Sequence, residues 1–340
     1  MPACPVLCFG ELLLRLGAPG NELLLQRPQL EVHVGGAEAN VGVALAHWGH
    51  PVKMVSRVSD NALGQAAAGT LRRHGVDTTC VTHADGRMGL YFLTTGAGHR
   101  PSQVIYDRAG STFACASAGD FDWDSLLDGA GWLHLSGVTP ALGQTLADIT
   151  LQAARSARQR GIPVSVDGNF RPSLWERWQG DAAGILRALF AEATVLFADH
   201  RDMGVVLGGH YPGDTTAEQA QAAANAAFQA FPHLQWMACT QREALSACHH
   251  RLGALLMGRD GTVARAPAME LTEIVDRIGG GDAFAAGVLH GLRQGHDADA
   301  TIRFALAAGC LKHSIPGDFN PVSLADVTAL LGEGKFDVRR

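Results

Sequence analysis

Short apolar runs alternate with stretches of helical period along most of the chain. The run PVLCFG, which ends at Gly10, is typical of a buried strand, and residues 37–48 place apolar side chains at helical spacing until Gly49. The same order recurs, with strands predicted at PVKMVSRV, IPVSVD, TVLFAD and LQWMACT and helices at 61–75, 142–160, 181–192 and 217–230. This alternation predicts an α/β fold whose mostly parallel sheet is covered by helices on both faces.

Two stretches lack this rhythm, residues 12–34 and 88–116. They contain strand-like segments and turns with a period of two, and they show no helical period. Strands inserted into an α/β core at two distant points are expected to pair into a small sheet over the ligand site. We therefore predict a β-sheet lid from these residues, and a core formed by residues 1–11, 35–87 and 117–340.

Composition and charge argue against several classes of protein. The chain has 340 residues, of which 47% are hydrophobic and 18% charged, and its formal charge is −6, so no basic surface for nucleic acid is expected. No run is long and apolar enough for a membrane span, and the first residues lack the basic start of a signal peptide. The seven cysteines include no CxxC pair, which favours free thiols in a reducing, cytoplasmic setting.

The segment VDRIGGGDAFAAG combines three glycines, Gly279, Gly280 and Gly281, with a carboxylate at Asp282. Glycine lets the backbone approach a ligand closely, and the free amides at a helix start carry partial positive charge. An anion cradle beside a carboxylate fits phosphoryl transfer, with Asp282 accepting the proton of an attacking hydroxyl. The alternative is an aspartate that caps a helix after a glycine-rich turn.

A second glycine element, HVGGAEANVGVALA, puts Gly35 and Gly36 before a predicted helix that carries Asn40. Its backbone and the Asn40 amide are suited to the hydroxyls of a polyol, although a tight strand-to-helix turn is the alternative. The sequence contains no GxxxxGK[ST] phosphate loop, no GxGxxG after a strand and no HExxH. A classical nucleotide loop, a dinucleotide site and a zinc site are therefore not expected.

The pair GGAEANVG and DRIGGGDAFAAG resembles the two signatures of the ribokinase-like (PfkB) sugar kinases, and the segment SRVSDNALGQAAAGTLRRHGV is similar to the stretch between them. The resemblance covers nearly the whole chain. It implies a three-layer αβα core with a β-sheet lid, ATP as the phosphoryl donor and Mg²⁺ as its partner, and it leaves a monovalent cation open. It also implies that Asp282 is the base and that Gly279 to Gly281 form the anion hole. An exposed edge of the lid sheet favours a homodimer through the lid.

Three further segments are similar to those of 2-keto-3-deoxygluconate kinases: VDGNFRPSLW, YDRAGS and LKHSIPGDFN. A sugar acid carries a carboxylate, and the planar guanidinium of arginine matches it, so Arg108 and Arg171 are expected to bind that group. Arg15 stands where neutral-sugar kinases of the family usually have an aspartate, which also suits an anionic substrate. Each arginine has the alternative of a solvated surface position. The resulting substrate-binding set is Gly35, Gly36, Asn40, Tyr91, Tyr106, Arg108, Arg171 and Asp318.

The nucleotide side departs from the family pattern in two places. The usual NxxE element reads ADHRD here, so Asp202 is expected to serve Mg²⁺ indirectly. The usual TxGxxG nucleotide loop reads TQREALS from Thr240, which keeps the threonine and loses the glycines. Arg242 is expected to take over part of the phosphate contact. The resulting ATP-binding set is Asn169, Asp202, Thr240, Arg242, Gly279 and Gly281.

Together these observations predict an ATP-dependent kinase that phosphorylates the terminal 6-hydroxyl of 2-keto-3-deoxygluconate, giving 2-keto-3-deoxy-6-phosphogluconate. Two alternatives stay open. One is a fructokinase-like enzyme for a neutral sugar, and the other is a catalytically silent sugar-acid-binding regulator on the same fold. The sequence leaves the gluconate and galactonate epimers unresolved, because one inverted hydroxyl requires only a small change in the pocket.

Overall fold

The computed structural model describes residues 4–332. Numbered along the chain, its strands are β1 (Val6–Phe9), β2 (Leu13–Gly17), β3 (Glu31–Gly35), β4 (Val52–Ser59), β5 (Val81–Ala84), β6 (Gly89–Thr94), β7 (Gln103–Asp107), β8 (Trp132–Ser136), β9 (Val164–Asp167), β10 (Val195–Phe197), β11 (Trp236–Ala244), β12 (His250–Gly258) and β13 (Val263–Leu271). Its helices are α1 (Ala37–His47), α2 (Ala62–Arg73), α3 (Trp123–Leu126), α4 (Gln144–Gln159), α5 (Pro172–Glu176), α6 (Ala182–Phe190), α7 (His200–Leu207), α8 (Thr216–Ala230), α9 (Gly280–Gln294), α10 (Ala298–Lys312) and α11 (Leu324–Leu331).

A nine-stranded sheet forms the centre of the protein, in the order β13-β12-β11-β10-β9-β8-β1-β4-β5. The strands from β11 to β5 pair in parallel, whereas β12 and β13 join as antiparallel strands at one edge. Buried apolar side chains form one cluster on each face of this sheet. The predicted three-layer αβα core is confirmed. No helix within residues 4–332 is both long and apolar enough to cross a membrane.

The helices begin and end where the sequence supplies caps. Asn61 accepts the amides of Leu63 and Gly64 at the start of α2, and Thr215 forms a capping box with Glu218 at the start of α8. The helix predicted at 142–160 begins only at Gln144, because Pro140 holds the preceding residues in a short 3₁₀ turn. A single residue separates the end of β4 from the Asn61 cap, and the ligand site is expected at the carboxyl ends of such strands.

A separate sheet of four strands, in the order β3-β2-β6-β7, forms the lid. Its strands come from the two stretches that lack helical rhythm, as predicted, although β3 continues to Gly35, one residue beyond the expected boundary. The alternation of side chains gives the lid two faces. Leu13, Tyr91 and Leu93 pack together on the face that lies over the core.

The segment that begins at Thr240, where the family pattern has a glycine-containing nucleotide loop, is a strand as far as Ala244. Thr240 pairs with Ala254 and Ala244 with His250, so β11 and β12 form a long antiparallel hairpin. The segment TQREALS has no glycine that would release the backbone from extended geometry, and its first five residues continue the ladder of β11 as far as Ala244.

Candidate active site

The glycine run forms the start of α9. Gly279 is the N-cap residue and has a left-handed backbone with φ of 81°, and a Cβ atom there would lie 1.9 Å from the carbonyl oxygen of Asp318. The Gly280 amide closes a turn onto the Arg277 carbonyl at 3.2 Å. The first intrahelical hydrogen bond of α9 runs from the Ala283 amide to the Gly279 carbonyl oxygen at 2.8 Å. The amides of Gly281 and Asp282 precede this donor, so they are available to an anion.

Asp282 is the third residue of α9, so the alternative of a simple N-cap does not apply. Its carboxylate accepts a hydrogen bond of 2.6 Å from the side-chain amide of Asn40, which joins the two glycine elements. Burial, reinforced by the negative charges of Glu38 and Asp318, raises the pKa of Asp282 to about 7, while the Asn40 bond opposes that shift. A carboxylate with this pKa is suited to accept a proton near neutral pH.

Close approach explains the first pair of glycines. A Cβ atom on Gly35 would lie 2.1 Å from the Asp318 carboxylate, and one on Gly36 would lie 2.3 Å from the Glu11 carbonyl oxygen. The φ of Gly36, 153°, also favours glycine. Both glycine elements therefore pack against the loop that carries Asp318.

A cavity of about 860 Å³ lies between the lid and the carboxyl ends of the core strands. It brings together most of the predicted site residues: Gly36, Asn40, Tyr91, Tyr106, Arg108, Asn169, Arg171, Asp202, Thr240, Arg242, Gly279, Gly281, Asp282 and Asp318. Gly35 and Gly280 are buried behind its wall, where a Cβ atom on Gly280 would lie 2.7 Å from the His313 ring. These two glycines allow close packing and do not line the cavity.

The two arginines expected at the substrate differ in their surroundings. Arg108 is only 4% exposed and forms an ion pair of 2.5 Å with Glu11, so its charge is already matched. Arg171 is exposed and forms no ion pair within 4 Å among the described residues, and its guanidinium donates to the Phe170 carbonyl oxygen at 3.1 Å. From a greater distance its charge acts to lower the pKa of three carboxylates, those of Asp167, Asp202 and Asp282. Arg171 is therefore the cation with capacity for a carboxylate, whereas Arg108 is oriented by Glu11.

Arg15 does not line the cavity, and its interpretation as a direct match for an anionic substrate is not supported. It is buried and lies 2.7 Å from the Asp276 carboxylate and 3.2 Å from that of Asp318. Tyr91 donates a hydrogen bond to the same Asp318 carboxylate. Arg15 and Tyr91, both on the lid, therefore hold Asp318 in place at the edge of the cavity.

A second cavity, of about 610 Å³, adjoins the first and shares Asp199, Arg201, Cys239, Thr240 and Arg242 with it. Burial and the neighbouring charges of Arg277 and Arg201 lower the pKa of Arg242. Within residues 4–332, neither Arg242 nor Arg277 forms an ion pair with a carboxylate. Unmatched positive charge at the junction of two cavities suits a polyphosphate.

Three carboxylates face the same part of the large cavity: Asp167, Asp202 and Asp282. Burial, with the charges of Asp282 and Asp202, raises the pKa of Asp167 to about 8, and burial raises that of Asp202 to about 6. The described residues hold no preformed cluster of three or more metal ligands. Mg²⁺ in phosphoryl-transfer sites binds one or two carboxylates and the substrate phosphates, so Asp167 and Asp202 fit that ion.

The charged residues of the cavity wall that were missed in the sequence include these four: Glu11, Glu38, Asp167 and Arg277. Glu38 is 2% exposed and accepts hydrogen bonds from Ser136 at 2.6 Å and Thr139 at 3.2 Å. Three of the four stand inside motifs that were recognised, and Glu11 follows β1 directly. A charged side chain within a glycine motif, or at the carboxyl end of a parallel strand, is the signal that would have found them.

Residues 5–323 match the model of the pfkB family carbohydrate kinases, and the chain belongs to this family. Over 332 residues it is 31% identical to a 2-dehydro-3-deoxygalactonokinase of Haloferax volcanii, with 98% of both chains covered. It is 26% identical over 300 residues to a 2-dehydro-3-deoxygluconokinase of Bacillus subtilis, covering 84% of this chain and 82% of that one. The crystal structure of a 2-dehydro-3-deoxygluconokinase from Thermotoga maritima is 37% identical and superposes with a TM-score of 0.92, covering 97% of this chain and all of the other.

Proposed function

We propose that this protein transfers the γ-phosphoryl group of ATP to the terminal 6-hydroxyl of 2-keto-3-deoxygluconate, which is also called 2-dehydro-3-deoxygluconate. The observation that carries the proposal is the pairing of Asp282 with the glycine start of α9 in a cavity that also contains the unmatched cation of Arg171. Relatives named for keto-deoxy sugar acids support this substrate class over a neutral hexose.

The residues divide the reaction between them. Asp282 accepts the proton of the attacking hydroxyl, and Asn40 keeps its carboxylate in position. The amides of Gly281 and Asp282 stabilise the negative charge of the transferred group, while Arg242 and Arg277 bind the remaining phosphates. Mg²⁺, when bound, neutralises phosphate charge, and Asp167 and Asp202 would hold it.

The sugar acid would lie beneath the lid, with its carboxylate on Arg171. Tyr106 and Asp318 line the same part of the cavity and offer hydrogen-bonding groups to hydroxyls. Arg108 lines the same cavity, but its charge is matched by Glu11, so it contributes a fixed hydrogen-bonding group and not a free cation. Under this proposal the lid strands at 12–34 and 88–116 close over the substrate, and the remaining segments form the core; residues 1–3 and 333–340 of that core lie outside the described residues.

A second candidate substrate is 2-dehydro-3-deoxygalactonate, because the relative in Haloferax volcanii is named for it. A coupled ADP-release assay with both keto-deoxy acids, fructose and ribose tests the proposal. We expect kcat/KM for a keto-deoxy acid to exceed that for either neutral sugar by at least about 10²-fold, since the neutral sugars leave Arg171 unpaired. A preference for fructose, or ADP release that no acceptor stimulates, would favour one of the alternatives instead.

We further propose that two copies associate through the outer face of the lid. Val32, Leu16, Phe92 and Ile105 are register partners across all four strands and share this face. Val32 is 60% exposed and Ile105 47% exposed, and an apolar row of this kind commonly marks an interface.

The free state of all seven cysteines supports a cytoplasmic setting. ATP and Mg²⁺ form the proposed cofactor set.

A further inference from the structure

Lys312, the last residue of α10, is buried completely, with 0% of its surface exposed. Lysine is almost never fully buried unless its charge is satisfied, because removing an ammonium from water is costly. Here the ammonium donates to the carbonyl oxygens of Ile315, at 2.9 Å, and Asp276, at 3.3 Å. The mechanism described so far gives this buried cation no role.

The two carbonyl groups belong to the loops that build the phosphoryl site. Asp276 begins the segment that leads into the glycine run, and Ile315 begins the turn that leads to Asp318. Asp276 also accepts the Gly317 amide at 3.0 Å, so the two loops are joined by a side chain as well as by the ammonium. Gly279 packs directly on the stem of the lysine, since a Cβ atom there would lie 3.3 Å from its Cε.

The charges around the ammonium are mixed. The carboxylates of Asp276, Asp318 and Asp282 attract the Lys312 cation, and the Arg15 guanidinium repels it. Burial outweighs this attraction and lowers the pKa of Lys312 to about 8. Inward-facing carbonyl oxygens near carboxylates are also the surroundings in which proteins bind K⁺ and similar ions. The chain itself therefore supplies the cation that such a position favours.

We propose that Lys312 is a positioning residue whose tethered ammonium takes the place of a free monovalent cation beneath the glycine run. It holds the Asp276 and Ile315 carbonyl groups together and thereby fixes the amides that receive the transferred phosphoryl group. The inference rests on the kinase activity proposed above and adds that this activity does not depend on K⁺.

The first test compares the unaltered protein in K⁺ and in tetramethylammonium salts of equal ionic strength. Tetramethylammonium is too large to enter a cage of carbonyl groups, so a protein that requires a bound ion loses activity in it. We expect kcat to change less than about twofold. A loss of about tenfold or more in tetramethylammonium would overturn the proposal without any variant being made.

The second test separates charge from packing with Lys312→Met and Lys312→Ala. Methionine keeps most of the buried stem and removes the charge. We expect kcat of Lys312→Met to fall about 10–10²-fold, the effect of losing a group that organises an anion hole. The KM values for ATP and for the sugar acid should stay nearly constant. Alanine leaves space for an ion. We therefore expect the kcat of Lys312→Ala to be at least about fivefold higher in K⁺ or NH₄⁺ than in tetramethylammonium. A Lys312→Met protein with an unchanged kcat would show that the side chain only fills space.

A third measurement does not require turnover, so it distinguishes this inference from failure of the proposed function. The melting temperature of Lys312→Ala should rise in K⁺ relative to tetramethylammonium, whereas that of the unaltered protein should be the same in both. Equal responses of the two proteins to K⁺ would overturn the inference even if no acceptor sugar were found. If Lys312→Ala does not fold in either salt, the comparison of salts on the unaltered protein decides.

Discussion

At the residue scale, the chemistry of Asp282 depends on its neighbours. Asn40 donates to its carboxylate, and the surrounding burial and negative charge make ionisation harder than for an exposed aspartate. A base with a raised pKa binds a proton more strongly, so if Asp282 is the base, as proposed, part of its strength comes from Glu38 and Asp318, which do not react.

Replacement of Asp282 by asparagine should lower kcat by about 10²–10⁴-fold, the usual range for loss of a general base, while calorimetry should show nearly unchanged binding of ATP and sugar acid. Asp297→Asn is a matched control, because Asp297 is an acid at the start of the next helix that only accepts the Ala300 amide. Near-normal turnover of Asp282→Asn would mean that another group accepts the proton.

The pH dependence of kcat/KM should also report Asp282. Because the base acts in its ionised form, activity should rise with pH through about 7, the pKa to which Asp282 is raised, and then level off. Bound Mg²⁺ and ATP change the local charge, so the profile of kcat is expected to differ from that of kcat/KM. A kcat/KM profile that levels off already at pH 5 would contradict a base with a raised pKa.

At the element scale, the β11–β12 hairpin and the segment after β9 each bring one arginine to the cavity. Arg242 lies on β11, and Arg171 is the N-cap residue of α5. In the proposed function Arg242 binds the phosphates and Arg171 binds the sugar acid. Local sequence identified both arginines as candidates but left the backbone geometry around Arg242 open. Cross-strand pairing with β12, the next strand of the hairpin, which was not predicted, decides the conformation of Thr240–Ala244.

These two arginines should therefore affect different kinetic constants. Arg171→Ala should raise KM for the sugar acid by about 10–10²-fold and leave KM for ATP nearly constant, since a hydrogen bond to a charged group contributes about 1.5–3 kcal/mol. Arg242→Ala should raise KM for ATP by about tenfold and leave the sugar-acid value nearly constant. Arg187→Ala, on the exposed side of α6, is the control and should change neither. If Arg171→Ala raised KM for ATP and Arg242→Ala raised KM for the sugar acid, the two substrates would bind at the opposite ends of the site from those proposed.

The outer face of the lid gives a prediction for assembly. Val32→Lys combined with Ile105→Lys places two charges in the exposed apolar row and should convert a dimer to a monomer of 35.8 kDa in light scattering. Leu63→Lys is the control, because Leu63 is 54% exposed on a core helix and lies outside the row. Unaltered protein that is monomeric at micromolar concentration, or a double variant that stays dimeric, would contradict association through this face.

At the scale of the whole molecule, much of the architecture could be predicted because it follows from local periodicity. The order of strands and helices, and the two stretches of the lid, are visible in the hydrophobic pattern. The pairings of buried charges were not predictable in the same way. Arg15 meets Asp276 and Asp318 only because the lid folds back on the core, some 260 residues away in the case of Asp276. Hydrophobic periodicity identifies which face of a strand or helix a side chain occupies. It does not identify the charged partner that a distant segment brings to that face.

A histidine pair in the core couples stability to pH. His50 and His290 are buried, lie 2.8 Å apart through Nε2 and Nδ1, and each has its pKa lowered to about 4 by burial. The unfolded chain, with histidine pKa values near 6.5, binds protons more readily than the folded one. The stabilisation from this pair is therefore complete above about pH 6.5 and is lost as the pH falls toward 4.

The free energy of unfolding should consequently decrease between pH 7 and pH 5 by an amount on the order of 1 kcal/mol per histidine. His50→Gln cannot gain this charge, so its unfolding free energy should depend less on pH over that range in urea titrations. The exposed His99→Gln is the control and should keep the slope of the unaltered protein. If the free energy of unfolding had the same pH dependence in all three proteins, protonation of the His50–His290 pair would not affect stability, and the account would be contradicted.

The central claim is that phosphoryl transfer goes to the terminal oxygen of a keto-deoxy sugar acid, and product analysis by NMR tests it most directly. The protein is incubated with limiting ATP and an equimolar mixture of 2-keto-3-deoxygluconate, its galactonate epimer and fructose. We predict that almost all transferred phosphorus appears as a phosphate monoester coupled to the C6 protons of a keto-deoxy acid. Phosphorus mainly on fructose, or release of inorganic phosphate without a sugar phosphate, would contradict the account.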